Sequence, residues 1–106
     1  MATGRLGVSN LPAATLTTVY TVPSATFAVV SVNVCNRHNV VQNIRLAVAA
    51  ADTPLDSEYI EFDVELGAKG VLERTGIIIG AGQKIVARAS GVNVSVVVFG
   101  IETPTT

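Results

Sequence analysis

The chain has 106 residues, seven Lys or Arg against eight Asp or Glu, one cysteine and one histidine; this length suits one domain with one core. A formal charge of −1 offers no field to gather nucleic acid or an anionic membrane, a lone cysteine cannot close an intramolecular disulfide, and no apolar run approaches the ~18–20 residues that cross a bilayer. Apolar residues make up 49% of the chain, dominated by the valine, isoleucine and alanine that suit packed sheets.

The N-terminal residues 1–11 carry one positive charge and no following apolar core, so they do not read as a secretory signal. They read instead either as a disordered arm or, equally, as one whose apolar Leu6, Val8 and Leu11 reach along a neighbouring protein, adding to its sheet or filling a groove. The first clear strand spans 15–22 and stops at Pro23, which cannot donate to a ladder. Residues 27–36 place Ala28, Val30, Val32 and Val34 on one face and Ser31, Asn33 and Cys35 on the other. The turn Asn36-Arg37-His38-Asn39 leads into 41–50, where Ile44, Leu46 and Val48 alternate with Asn43 and Arg45, so these two runs read as an antiparallel pair. A helix beginning at Leu46 is rejected, because Asp52-Thr53-Pro54 ends the segment too soon.

A polar loop over 51–57 precedes the strand 58–64. Strict alternation there turns Ile60, Phe62 and Val64 inward and Tyr59, Glu61, Asp63 and Glu65 outward. Glycines then bound strands at 71–79 and 83–90. The last run, 92–101, is apolar on both faces towards its end, as a central strand would be, and 103–106 is a polar tail expected to fray. With seven or eight short strands and no helix, the predicted fold is an all-β antiparallel sandwich over 12–102, of jelly-roll or immunoglobulin-like connectivity.

Little in the sequence offers chemistry. Cys35 and His38 have no second cysteine or histidine to complete a metal site or an activated thiolate, and read as a small strand residue and an exposed turn residue. Six of the eight acidic residues fall between Asp52 and Glu65, but no glycine-turned loop encloses them for calcium; a solvated strand face is the expectation. The run Gly76-Ile77-Ile78-Ile79-Gly80-Ala81-Gly82 lacks the lysine and helix of a phosphate loop. Its apolar residues should be buried in the sheet or covered by a neighbouring subunit. No catalytic residue, metal or cofactor is therefore expected, and a small hydrolase is disfavoured for want of a nucleophile and base. Arg45, Tyr59, Glu61 and Asp63 are the outward-facing candidates for an interface, together with Leu6, Val8 and Leu11.

The order of the pieces Thr18-Val19-Tyr20-Thr21-Val22-Pro23, Ala28 to Val34 with Cys35-Asn36-Arg37, Tyr59-Ile60, Leu66-Gly67, Gly80-Ala81-Gly82 and Val94 to Glu102 resembles small virion proteins of tailed bacteriophages, cyanophages among them. The similarity spans Leu11 to Glu102. It implies a β-sandwich structural part made in the host cytoplasm and located in the virion. Such a part is a capsid cement or decoration protein bound to the major capsid protein, or a piece of a tail, baseplate or fibre. Homo-oligomeric, threefold assembly is likewise an implication of the resemblance. No catalytic residue comes with it. A carbohydrate- or receptor-binding module is the alternative from another class, weakened by the scarcity of aromatic faces on which a sugar could stack.

Overall fold

A computed structural model of the chain describes residues 3–105. Eight strands follow one another: β1 (Thr3–Leu11), β2 (Thr17–Thr21), β3 (Thr26–Asn36), β4 (Gln42–Ala49), β5 (Tyr59–Leu66), β6 (Val71–Ile79), β7 (Lys84–Ala89) and β8 (Val94–Pro104). The one helical element among the described residues is the 3-10 turn Asp56–Glu58. The Glu58 carboxylate closes it by accepting from the Leu55 N–H at 2.8 Å.

The strands form two antiparallel four-stranded sheets, sheet A in the order β1-β8-β3-β6 and sheet B in the order β2-β7-β4-β5. The pairs β1–β8, β2–β7, β3–β6 and β4–β5 are all present, and β3–β8 and β4–β7 join them within each sheet. This is a long antiparallel ribbon, strand one against strand eight inward to four against five, rolled into two layers. It is the jelly-roll arrangement of two Greek keys and not the immunoglobulin one.

Between the layers lies a valine-rich core. Ala28, Val30, Val32 and Val34 of β3 and Val94, Val96 and Val98 of β8 face Ile44 and Leu46 of β4 and Ile85 and Ala87 of β7. Each buried valine or isoleucine contributes about 1.5–3 kcal/mol relative to exposure. The expected inward sides of β3 and β4 are thus correct, but their pairing is not. β3 belongs to sheet A and β4 to sheet B, so residues 37–41 cross between layers. Alternation looks the same whether two strands lie side by side or face each other across a core, and pattern alone cannot distinguish them. The crossover is pinned by Asn36, wholly buried. Its amide donates to the carbonyls of Val40 at 2.9 Å and of Leu66 and Gly67 at 3.1 Å, and its Oδ1 accepts from the His38 N–H at 2.9 Å.

Both ends of the chain also differ from expectation. Thr3–Leu11 is not an arm extending from the domain but the edge strand of sheet A, paired along β8 with a bulge between Arg5 and Gly7. Leu11 is buried in the core and Leu6 packs against it, so the apolar residues that suggested a partner find one within the fold. At the other end β8 continues through Pro104, pairing Thr103 with Phe27 and Pro104 with Thr26. The Thr105 N–H donates to the Ala25 carbonyl at 3.0 Å, so 103–105 are tied down. Met1, Ala2 and Thr106 lie outside the described residues.

Candidate functional site

The outer face of sheet B gathers three of the interface candidates. Arg45 on β4 sits beside Arg88 of β7 in register. On its other side β5 bulges, with Ile44 opposite Val64 and Leu46 opposite Glu61, so both Phe62 and Asp63 are left to oppose Arg45. Asp63 takes up the left-handed conformation, φ 53°, which a short polar side chain tolerates better than most. Two consecutive residues therefore grip one guanidinium. Arg45 donates from Nε and Nη2 to the two Asp63 oxygens at 2.7 and 3.1 Å, and its Cζ lies 4.1 Å from the centre of the Phe62 ring. Tyr59 meets Phe62 edge to face, centroids 5.0 Å apart. The hydrogen bonds from Arg45 hold the Asp63 carboxyl below its ordinary value, aided by the charges of Arg45 and Arg88, and the same bonds raise Arg45. The result is a fixed aromatic and cationic platform with Phe62 55% exposed.

Glu61 does not join it. The bulge changes the parity of β5, so Ile60 and Phe62 are exposed and Glu61 is 8% exposed, the reverse of the expected facing. From inside the sandwich margin Glu61 meets the guanidinium of Arg74 on β6. β5 and β6 are the corresponding edges of the two sheets, and the ion pair ties those edges together.

The outer face of sheet A has a different character. Val29 on β3 lies opposite Ile78 of β6 and Ile101 of β8, making an apolar row three strands wide. Phe99 and Val97 continue it along β8, and Val97 lies opposite Val8 of β1. Ile78 is 72% exposed and Ile101 51%. Ile78 is therefore not buried within the sheet, whereas Ile79, one residue on, is in the core. Val8 is the one N-terminal apolar candidate that remains on the surface.

Two of the remaining acidic residues, Asp52 and Glu58, have separate partners. Asp52 accepts from the Thr18 hydroxyl at 2.6 Å and lies 3.8 Å from Lys84 Nζ, while Glu58 bonds loop backbone. Among the described residues no group of three His, Cys, Asp or Glu side chains is placed to share a metal ion. Sequence reasoning missed Phe62 and Arg88: strict alternation sends Phe62 inward, and Arg88 joins Arg45 only through the β4–β7 pairing. The one hint of the bulge was an aspartate, a residue that accepts positive φ, inside a strand. No protein-family model matches the chain, no curated protein is significantly similar to it, and no solved structure matches it.

Proposed function

We propose that this chain is a non-enzymatic structural protein of a tailed-phage virion, a cement or decoration protein that binds the assembled head through the major capsid protein and stabilises it. One observation carries the reading: the sandwich exposes two chemically distinct contact surfaces on opposite layers, an apolar row on sheet A and an aromatic–arginine platform on sheet B. Exposed apolar patches of this kind mark protein–protein contacts, and aromatic and arginine side chains dominate binding energy at interfaces. A cement protein needs one surface for the shell and one for its neighbours. The jelly roll also serves as the capsid domain of many viruses, which supports the reading by analogy of fold alone.

Quantitative mass spectrometry of purified virions that encode the protein tests it. A decoration protein is expected on the order of hundreds of copies per particle, following the symmetry of the shell. A few copies per particle would move the protein to the tail, baseplate or fibre, and absence from particles would overturn a virion role. Tyr59 and Phe62 beside Arg45, Asp63 and Arg88 favour a second reading, a carbohydrate- or receptor-binding module; binding to a glycan array, lost in Phe62→Ala, would distinguish it.

A further inference from the structure

We propose that the outer face of sheet A pairs with the same face of a second copy of this chain, as an isologous dimer about a two-fold axis parallel to the strands. The inference rests on the two-surface reading above and assigns one of those surfaces to self-contact. Sheet A runs β1-β8-β3-β6, so such an axis lays β8 of one copy over β3 of the other and β1 over β6. Ile101 then faces the second copy's Val29 and Val29 its Ile101, because the two residues share one level of the ladder. Ile78, at that level too, leaves water over the second copy's β1.

Charge fits the same symmetry. From register and alternation, the face presents Thr3, Arg5, Val8 and Asn10 of β1, Ser95, Val97, Phe99 and Ile101 of β8, Phe27 to Cys35 at every second residue of β3, and Val71, Glu73 and Ile78 of β6. Arg5 and Glu73 are its cation and anion. They stand on opposite edges of the sheet, both exposed, and neither makes an ion pair with another described residue. Arg5 is level with Phe99, and Glu73, through Asn33, with Val97. They are thus one same-face step apart along the strands. Laying β1 over β6 brings each Arg5 within side-chain reach of the other copy's Glu73, twice by symmetry.

The size is adequate as well. Edge strands of nine residues, rising about 3.3 Å per residue in four strands about 4.8 Å apart, give two such faces a planar area on the order of 1,100 Å². Side-chain relief adds to this, against about 1,200 Å² at the lower end of standard interfaces. Addition of a strand at the β6 edge is the less favoured route. β6 bulges between the partners of Val30 and Val32, with Gly76 at φ 69°, and a bulge interrupts the row of donors and acceptors that a new strand needs.

Sedimentation equilibrium on the full chain tests the pairing, with virion binding measured in parallel. The expected mass is twice the 11.0 kDa of one chain. Ile78→Lys, at a solvent-facing position that the fold tolerates, should raise the dissociation constant at least about tenfold. Arg5→Glu and Glu73→Arg should each weaken the dimer, and the double swap should return it to within about threefold of wild type. A monomeric wild type at high micromolar concentration, a three-chain mass, or a dimer indifferent to all these changes would overturn the pairing. A monomer that still decorates virions would refute the pairing and leave the virion role standing. A dimer that breaks and recovers as described, yet is absent from virions, would establish the pairing and refute the role.

Discussion

At Gly100 the chain has no room for a side chain. A Cβ there would run into the carbonyl oxygen of Val29 and come within 2.8 Å of the Val30 Cα, backbone atoms of the neighbouring strand that cannot rotate away. Because Gly100 pairs with Val30 on one side and Gly4 on the other, relief would require β3 and β8 to separate at the centre of sheet A. Gly67, just beyond β5, meets nothing within 4 Å and has no positive φ. Gly100→Ala is therefore expected to destabilise by about 3 kcal/mol or to prevent folding. Gly67→Ala should be neutral or stabilising by up to about 1 kcal/mol through the unfolded chain. Urea denaturation of the pair gives both values, and equal effects would contradict the close approach of β3 and β8.

Among the elements, β5 departs furthest from simple alternation, and its departure has an energetic consequence. With Glu61 turned into the sandwich margin against Arg74, removing the arginine leaves a carboxylate with little water around it. Arg74→Ala should cost about 1–3 kcal/mol, whereas adding Glu61→Leu to it should recover part of that loss, since the carboxylate left without its cation is then gone. A double-mutant cycle in urea checks this: additivity of Arg74→Ala and Glu61→Leu would show that the two do not interact. The same strand marks where the sequence stops being legible. Regular alternation located seven strands and the inward sides of β3 and β4, because one dry face per strand leaves a period of two. β1 escaped, since its glycines and the bulge at Arg5–Gly7 break that period. Phe62 and Glu61 were assigned to the wrong sides because a bulge depends on the partner strand, which local pattern does not contain. Arg45, Tyr59 and Asp63 were legible as surface residues, but their assembly with Phe62 and Arg88 required the β7-β4-β5 order.

On the scale of the whole molecule, the two layers are joined by polar links as well as by the core. The Tyr20 hydroxyl on β2 of sheet B donates to the Glu102 carboxylate on β8 of sheet A at 2.5 Å, both side chains being buried. Burial first, then the hydrogen bond to Glu102 and the charge of that carboxylate, push the Tyr20 hydroxyl well above its ordinary value of 10.0. A group whose pKa is higher in the folded state than in the unfolded chain contributes stability that is complete below the unfolded pKa. That contribution is lost as pH rises through the folded one. Above about pH 10 the unfolded chain can release the tyrosine proton while the fold holds it against a buried carboxylate, so the Tyr20–Glu102 link weakens the fold relative to the open chain as alkali is added. The urea midpoint of the wild type should fall from about pH 9 to about pH 11. Tyr20→Phe should start lower by about 1–3 kcal/mol, because Glu102 loses a donor, and then decline less steeply over the same range. The two proteins differ at this one side chain, so the difference between the two curves isolates Tyr20. Parallel curves would mean that this hydroxyl loses its proton equally readily in the folded and unfolded chains, and that the link between sheets has no part in alkaline unfolding.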